Sequence, residues 1–380
     1  MNPGFESPTE LNLPRVLFAA GALSGLAGEL EALGIHKPLL VTDRGLVAAG
    51  LAARAIAACG KTVPAVFDNV TENPLFSDVD RGAAWYARHE CDGVIALGGG
   101  SVIDTAKMIA LLATNPGSVA SYAGVRNVPH GPAAPLIVIP TTAGTGSEAS
   151  PSAGIHPDAT SPSVGMGSRH LVPKLAILDP DLTRSLPPRL TAATGIDALS
   201  HCIEGFLSKK HIPLGKSIAL DGIARVAHCL RRAATNPDDA QARGEMMLAA
   251  FAGGAAIGMG LGPAHAVAIV CSDQGFHHGV LSGIGLVATL DFTSTYVPER
   301  AAEIALALGL KPAQTLGQAV ASLMRELDLP TTLAELNYVP RDLQALANAA
   351  HQSHFNLFAP FHPTVSNYAD MLAASLRKNP

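Results

Sequence analysis

Over the first half of the chain, wholly apolar runs of four to six residues alternate with helix-forming stretches, and near residue 185 the alternation stops. Lys37-Pro-Leu-Leu-Val-Thr42, Thr62–Phe67, Gly93-Val-Ile-Ala-Leu97 and Pro135-Leu-Ile-Val-Ile139 read as strands. Helices are expected between them over Gly45–Cys59, Ser77–His89 and Asp104–Thr114. Short apolar strands separated by helices pair as βαβ units and build a mainly parallel sheet. Beyond Leu186 the period changes to that of helices, over Thr191–Leu207, Leu214–Ala234, Ala240–Gly258, Gly279–Tyr296, Arg300–Leu308, Thr315–Leu327 and Asn367–Leu376. The expected fold class is α/β plus all-α: a Rossmann-like, mainly parallel sheet domain over residues 1–185 and a helical bundle over residues 186–380, with a hinge between Asp179 and Pro188.

Composition narrows the function classes. With 380 residues there is room for two domains at roughly 100–200 residues each. Hydrophobic residues make up 48% and charged residues 15%, which favours a large core over disorder. A net charge of −5 offers no basic footprint, so no nucleic-acid partner is expected. No uncharged apolar run reaches the ~18–20 residues a bilayer needs, so no membrane partner is expected either. The start, MNPGFESPTELNLPRV, is polar and shows no secretory signal. The five cysteines are scattered, odd in number and form no CxxC pair, as expected of reduced thiols in a cytoplasmic protein.

Three elements of the first half suit a dinucleotide. The strand ending at Leu97 runs into Gly98, Gly99, Gly100 and Ser101 and then a helix; glycines let backbone N–H groups approach a phosphate, and the helix N-terminus favours the anion. The run is not GxGxxG, and by itself it reads equally well as a plain strand-to-helix turn. The second element, Pro140-Thr-Thr-Ala-Gly-Thr-Gly-Ser-Glu148, follows a strand and offers Thr141, Thr142, Thr145 and Ser147 as donors to phosphate or ribose oxygens; the plainer reading is a solvated loop. The third, Asp43, ends a strand where a carboxylate accepts from both ribose hydroxyls and repels a 2′-phosphate, favouring NAD over NADP. An aspartate in that place also caps a helix.

The second half carries ligand chemistry. In Gly195-Ile-Asp-Ala-Leu-Ser-His-Cys-Ile-Glu-Gly205, Asp197 and His201 stand four apart and share a helix face. His265 follows in Gly262-Pro-Ala-His-Ala, then the pair His277-His278. One carboxylate and three imidazoles make a compact N3O set; imidazole suits Fe, Zn and Ni, and the carboxylate adds charge compensation. Alone, a helical Asp/His pair is more often a solvated face, but here the neighbours Ala198, Leu199, Cys202 and Ile203 are apolar. Burying Asp197 among them without a partner is costly.

Taken together, GGGSVIDTAK, PTTAGTGSE, GIDALSHCIEG and the His265 and His278 segments resemble the iron-containing (group III) alcohol dehydrogenase family, in the family's order from Asp43 to His278. LLVTDRGLVAAGLAARAI and the doubled histidine look most similar to its 4-hydroxybutyrate dehydrogenase-like branch. The resemblance implies a dehydroquinate synthase-like arrangement of a nucleotide-binding and a helical metal-binding domain. It implies Asp197, His201, His265 and His278 as metal ligands, and Asp43, Asn73, Gly98, Gly99, Gly100, Ser101, Thr141, Thr142, Thr145 and Ser147 beside NAD. The implied chemistry is Lewis-acid activation of a small primary alcohol or aldehyde, with hydride passing to or from the nicotinamide. An ω-hydroxy acid such as 4-hydroxybutyrate is the implied substrate type and a homodimer the implied assembly.

The chain departs from the family pattern at four places. Ile269 stands where many members have a second histidine thought to move the alcohol proton outward, leaving His277 or water as the relay. The 13-residue gap from His265 to His278 is short, and sequence leaves His277 and His278 both open as the ligand. Ser163 replaces a common lysine, and Ala256 a common aromatic, which is expected to widen the pocket. A tail with His351, His354, Phe355, Phe358, Phe361 and His362 falls where the family closes over substrate, and reads equally as a surface segment. Two alternatives stand beside the dehydrogenase: a metal-independent, maleylacetate reductase-like enzyme, which typically lacks the aspartate found here as Asp197, and a non-catalytic nucleotide- or metal-binding paralogue.

Overall fold

The computed structural model describes residues 9–124, 131–310 and 313–377. The described residues divide into two compact units, one within residues 12–142 and 146–186, the other within residues 9–11, 143–145 and 187–377. Residues 1–8 of the polar N-terminal segment lie outside the described residues.

The first unit holds a sheet of β1 (Arg15–Phe18), β2 (Pro38–Val41), β3 (Ala65–Phe67), β4 (Gly93–Gly98), β5 (Leu136–Pro140) and β8 (Leu175–Leu178), with a separate antiparallel hairpin, β6 (Ser152–Ile155) and β7 (Val164–Gly167). The order is β1-β8-β5-β4-β2-β3, parallel throughout. Its helices are α1 (Leu26–Ala32), α2 (Arg44–Ala48), α3 (Leu51–Ala58), α4 (Phe76–Arg88) and α5 (Gly100–Leu112). The central strands are buried on both faces, which is why they read as continuous apolar runs. Leu40, Ile95, Leu97, Ile137, Ile139, Leu175 and Ile177 meet Leu26 and Leu30 of α1 and Ala52 and Ala55 of α3 in one core.

Strand order decides where a ligand can sit. From β2 the chain steps out to β3, then returns past β2 to β4 on its other side. Registers Val41↔Ala96 and Gly98↔Pro140 align the carboxyl ends, so the segments after β2, β4 and β5 emerge at one edge beside this reversal. Open α/β sheets bind ligands in that crevice.

Several local expectations differ from what is observed. One helix over Gly45–Cys59 is two, because Gly50 adopts φ 78 and ends α2 before α3 begins. Helix α5 starts at Gly100, not Asp104, with Gly99 as its N-cap. Strands β1 and β8 and the hairpin were not expected; β8, Leu-Ala-Ile-Leu, is a short apolar run that was passed over, whereas the hairpin is rich in Gly and Ser. At the start of the segment read as a hinge, Asp179 accepts from the N–H groups of Gly21 and Leu23.

Every element in the second unit's described residues is helical: α6 (Pro188–Leu207), α7 (Pro213–Thr235), α8 (Ala240–Ile257), α9 (Pro263–Val270), α10 (His278–Ser294), α11 (Pro298–Ala307), α12 (Leu316–Glu326), α13 (Leu343–Gln352) and α14 (Val365–Ser375). Helices α6, α7, α9 and α11 start on proline, whose fixed φ suits the first turn and whose missing N–H costs nothing there. Helix α6 is buried on all sides from Thr191 to Leu207, packed by α7, α8 and α10. Helices α9 and α13 fall in segments left unassigned by periodicity, α9 because its eight residues are nearly all apolar.

Candidate active site

Asp197, His201 and Glu204 recur at i, i+4 and i+7 on α6, so one face of a buried helix carries three polar side chains. They are 2%, 5% and 5% exposed. Helix α9 brings His265, 2% exposed, and the first residue of α10 brings His278. Asp197, His201, His265 and His278 each offer one ligand atom, and these atoms lie within 4.8 Å of one another. Asp197 Oδ1 is 3.7 Å from His278 Nε2 and 4.0 Å from His201 Nε2, and the rings of His201 and His265 stack at 4.7 Å.

Close helix approach makes this grouping. A Cβ at Gly279 would stand 2.2 Å from the Ala193 carbonyl oxygen, so only glycine lets the start of α10 lie on α6. A Cβ at Gly144 would stand 2.5 Å from Thr194 Cβ, fixing the short segment 143–145 against α6. The doubled histidine divides its work: His277 caps α10, its Nδ1 accepting from the Gly279 N–H at 3.1 Å, while His278 belongs to the cluster.

The polar atoms of this cluster are incompletely satisfied. Asp197 Oδ1, His201 Nδ1 and His265 Nε2 are buried with no hydrogen-bond partner among the described residues. Buried polar atoms left so in an apolar surround are costly unless something binds them. Burial alone pushes the Asp197 carboxyl up, but the imidazoles of His201, His278 and His265 and a hydrogen bond from Ser282 outweigh it and hold the group at about 2. Burial pushes His201 down to about 4 and also lowers His278. At neutral pH Asp197 is therefore an anion and His201 and His278 are neutral, which are the ligand forms a divalent cation requires. The donor set fits a metal.

At the carboxyl edge of the sheet, Asp43 is the N-cap of α2, its Oδ1 accepting from the Leu46 N–H at 2.9 Å. Gly99 is the N-cap of α5 and has no side-chain cap, so the first-turn N–H groups of a 13-residue helix stay available to an anion. Thr141, whose N–H donates to the Gly98 carbonyl at 3.0 Å, and Thr142 sit across from this turn; a Cβ at Gly99 would meet Thr142 at 3.3 Å. Ser101 donates to the Glu72 carbonyl, which ties exposed Asn73 to the same edge. Ser147 is buried and hydrogen-bonded to Asp104. Thr145 belongs to the helical unit, while the other expected nucleotide residues belong to the sheet unit.

Sequence reasoning missed the buried charge beneath this edge. Lys107 is fully buried and donates to the Ser150 carbonyl and Oγ at 2.8 and 3.0 Å and to the Ser152 carbonyl at 2.7 Å. Burial lowers its amine to about 8, raises Glu148 to about 7 and raises Asp104. Lys107 and Glu148 lie inside motifs quoted for their glycines and hydroxyls; the apolar neighbours of Lys107, Ala106, Met108 and Ile109, were the signal of burial. Glu204 and Ser282 were also missed; each repeats the helical spacing of a ligand, at His201+3 and His278+4.

With the geometry in place, comparison with known proteins is decisive. The model of the iron-containing alcohol dehydrogenase family matches residues 14–180, and that of the family's C-terminal region matches residues 191–376. The chain belongs to the iron-containing alcohol dehydrogenase family. By family it is an oxidoreductase acting on CH–OH groups. It is 40% identical to the 4-hydroxybutyrate dehydrogenase of Cupriavidus necator, over 94% of this chain and 96% of that one. Among solved structures it is similar to a 1,3-propanediol oxidoreductase (TM-score 0.91, 28% identity, 97% of this chain and 100% of that one). It is equally similar to the sulfoacetaldehyde reductase of Bifidobacterium kashiwanohense in complex with NAD+ (TM-score 0.91, 28% identity, 99% and 100% covered).

Set against the family pattern, the departures have definite places. Ile269 lies one turn beyond His265 on α9 and is half-buried. Ser163 Oγ would stand 3.0 Å from a Cβ at Gly154, on the hairpin whose Gly154 N–H donates to Asp104. Ala256 does not open a pocket as expected: it is fully buried, and its Cβ would be 2.5 Å from a Cβ at Gly205, so the small pair lets α8 close on α6. In the tail, Phe355 packs its ring 5.6 Å from that of His265 and His354 packs on Phe355, whereas His351 and His362 pair with each other at 4.5 Å. No described helix is long and apolar enough to cross a membrane.

Proposed function

We propose that this chain is a metal-dependent, NAD-linked alcohol dehydrogenase and aldehyde reductase whose substrate is a small primary alcohol or aldehyde of the ω-hydroxy acid type, such as 4-hydroxybutyrate. The observation that carries the metal reading is the convergence of Asp197, His201, His265 and His278, with Asp197 Oδ1 and His265 Nε2 buried and unpartnered. Fe2+ is the assigned ion, and Zn2+ accepts the same N3O set. When bound, the ion supplies Lewis-acid activation of the substrate oxygen. The residues do the rest. Asp197 supplies the negative charge, and neutral imidazoles supply lone pairs. Phe355 beside His265 gives an apolar wall against which an alkyl chain can lie.

For the cofactor, the N–H groups of Gly100 and Ser101, with Gly98 and Gly99 leaving room, receive the pyrophosphate. Thr141, Thr142 and Ser147 supply hydroxyls. Asp43 takes the ribose hydroxyls through the oxygen that does not cap α2, which disfavours NADP. Asn73 borders the same edge. Support for the substrate type is the 40% identity to a 4-hydroxybutyrate dehydrogenase over nearly the whole of both chains. The test is NAD- and NADP-linked turnover of 4-hydroxybutyrate, butanol and an aromatic alcohol by metal-loaded protein. The proposal expects the highest kcat/KM for 4-hydroxybutyrate with NAD. Preference for butanol overturns the substrate type, and preference for NADP overturns the role given to Asp43.

A further inference from the structure

Glu204 makes more contacts than a helix-terminal carboxylate needs. Its Oε1 accepts the Ala264 N–H at 2.7 Å, and its Oε2 accepts the His265 N–H at 3.3 Å and the His265 ring Nδ1–H at 2.6 Å. The first two bonds satisfy N–H groups in the first turn of α9, which lack partners inside the helix. The third is independent of that cap. We propose that Glu204 is the positioning residue for the metal site, holding His265 in the one tautomer and orientation that turn its Nε2 lone pair on the position shared by Asp197, His201 and His278.

An ionised carboxylate only accepts, so the proton of a neutral His265 must sit on Nδ1. Nε2 is then an acceptor, and it is the atom of this ring that is buried without a partner. The two nitrogens thus have opposite duties fixed by one contact. Space for the carboxylate is provided locally, since a Cβ at Gly262 would stand 2.8 Å from Glu204 Oε1. Partners of this kind orient metal-binding histidines and raise their basicity, and their removal costs about 10–100-fold in metal affinity.

Glutamine keeps the size of Glu204 and cannot keep its pattern. If its oxygen faces His265, its NH2 faces the Ala264 N–H; if its oxygen faces Ala264, its NH2 donates to Nδ1 and forces a proton onto Nε2. The inference rests on the metal reading above, and the experiment separates the two. Wild type, Glu204→Gln, Gly262→Ala and Asp197→Ala are freed of metal, checked for fold by circular dichroism and urea denaturation, and titrated with Co2+ against a chromophoric chelator while the cobalt d–d absorption is recorded.

The expected result is folded Glu204→Gln with Co2+ affinity down 10–100-fold and an altered d–d band, and Gly262→Ala, which retains the charge but displaces it, changed in the same direction. Folded Glu204→Gln that binds Co2+ as wild type does, with the same spectrum, reduces Glu204 to a cap and overturns the inference. If Glu204→Gln does not fold, Gly262→Ala decides alone: unchanged affinity overturns the inference and weakened affinity supports it. Asp197→Ala that binds like wild type overturns the metal reading and this inference together. Loss of Co2+ in Asp197→Ala alone overturns only the role of Glu204.

Discussion

Replacing Gly279 with alanine should pull apart the two helices that carry Asp197 and His278. The added Cβ would stand 2.2 Å from the Ala193 carbonyl oxygen and 2.9 Å from its carbon, and ordinary contact begins at 3.4 Å. These are backbone atoms inside a helix buried on all sides, so neither can swing away. The start of α10 must move by about 1.2 Å, the gap between 2.2 and 3.4 Å. Overpacking of this kind costs about 1–3 kcal/mol. Metal–ligand distances tolerate only about 0.2 Å, so the same movement removes His278 from the ligand set. Urea denaturation should show the stability loss, and Co2+ titration should show affinity at least tenfold weaker. Gly165→Ala is the control, because a Cβ there meets nothing within 4 Å. Gly279→Ala with wild-type stability and Co2+ affinity would refute the idea that this helix contact sets the geometry of the site.

Three further outcomes are expected. Lys107→Met leaves Asp104 and the Ser150 and Ser152 carbonyls without their buried cation and should lower stability by about 3 kcal/mol or more in urea; a loss under about 1 kcal/mol contradicts the account. Asp43→Ala should lose about 1 kcal/mol with the cap and weaken NAD binding, whereas Asp43→Asn keeps the cap and stability and loses only discrimination against NADP, which paired calorimetric titrations would separate. For metal-free protein, burial holds His201 at about 4, below the ~6.5 of an unfolded histidine, so the unfolded chain binds the extra proton. Stability should therefore fall as pH drops from about 6.5 to about 4, by up to roughly 1.4 kcal/mol per unit for this group, and fall again as Asp197 loses its advantage between about 3.8 and about 2. A His201→Asn variant with the same pH slope as wild type would contradict that assignment.

The sequence was most legible where one residue type served one purpose. The runs that became β2, β4 and β5 had no other use than burial on both faces, and the helices of the second unit other than α9 and α13 declared themselves by period. Boundaries failed where glycine acted locally: Gly50 split a helix and Gly99 began one early. The Asp197–His201 pair was readable because four residues make one helical turn, and the fold brings His265 and His278 to it from other helices. The choice between His277 and His278 was not readable, because adjacent residues at a helix start differ by which one turns back to cap it. Ala256 was misjudged for the same reason that Glu204 was overlooked: each acts through a neighbour on another helix, Gly205 and His265, and no spacing along one chain segment reveals such a partner.

The central claim, that four converging ligands make this family member a metal-dependent dehydrogenase, is tested most directly by one comparison. Anaerobically prepared wild type and Asp197→Ala are assayed side by side for metal content and for NAD-linked oxidation of 4-hydroxybutyrate. The account predicts about one metal ion per wild-type chain, as one N3O ligand set requires, and activity lost together with the metal in the variant. Metal-free wild type that turns over at full rate, or a metal-depleted Asp197→Ala that keeps its activity, would contradict the account and favour a metal-independent reductase.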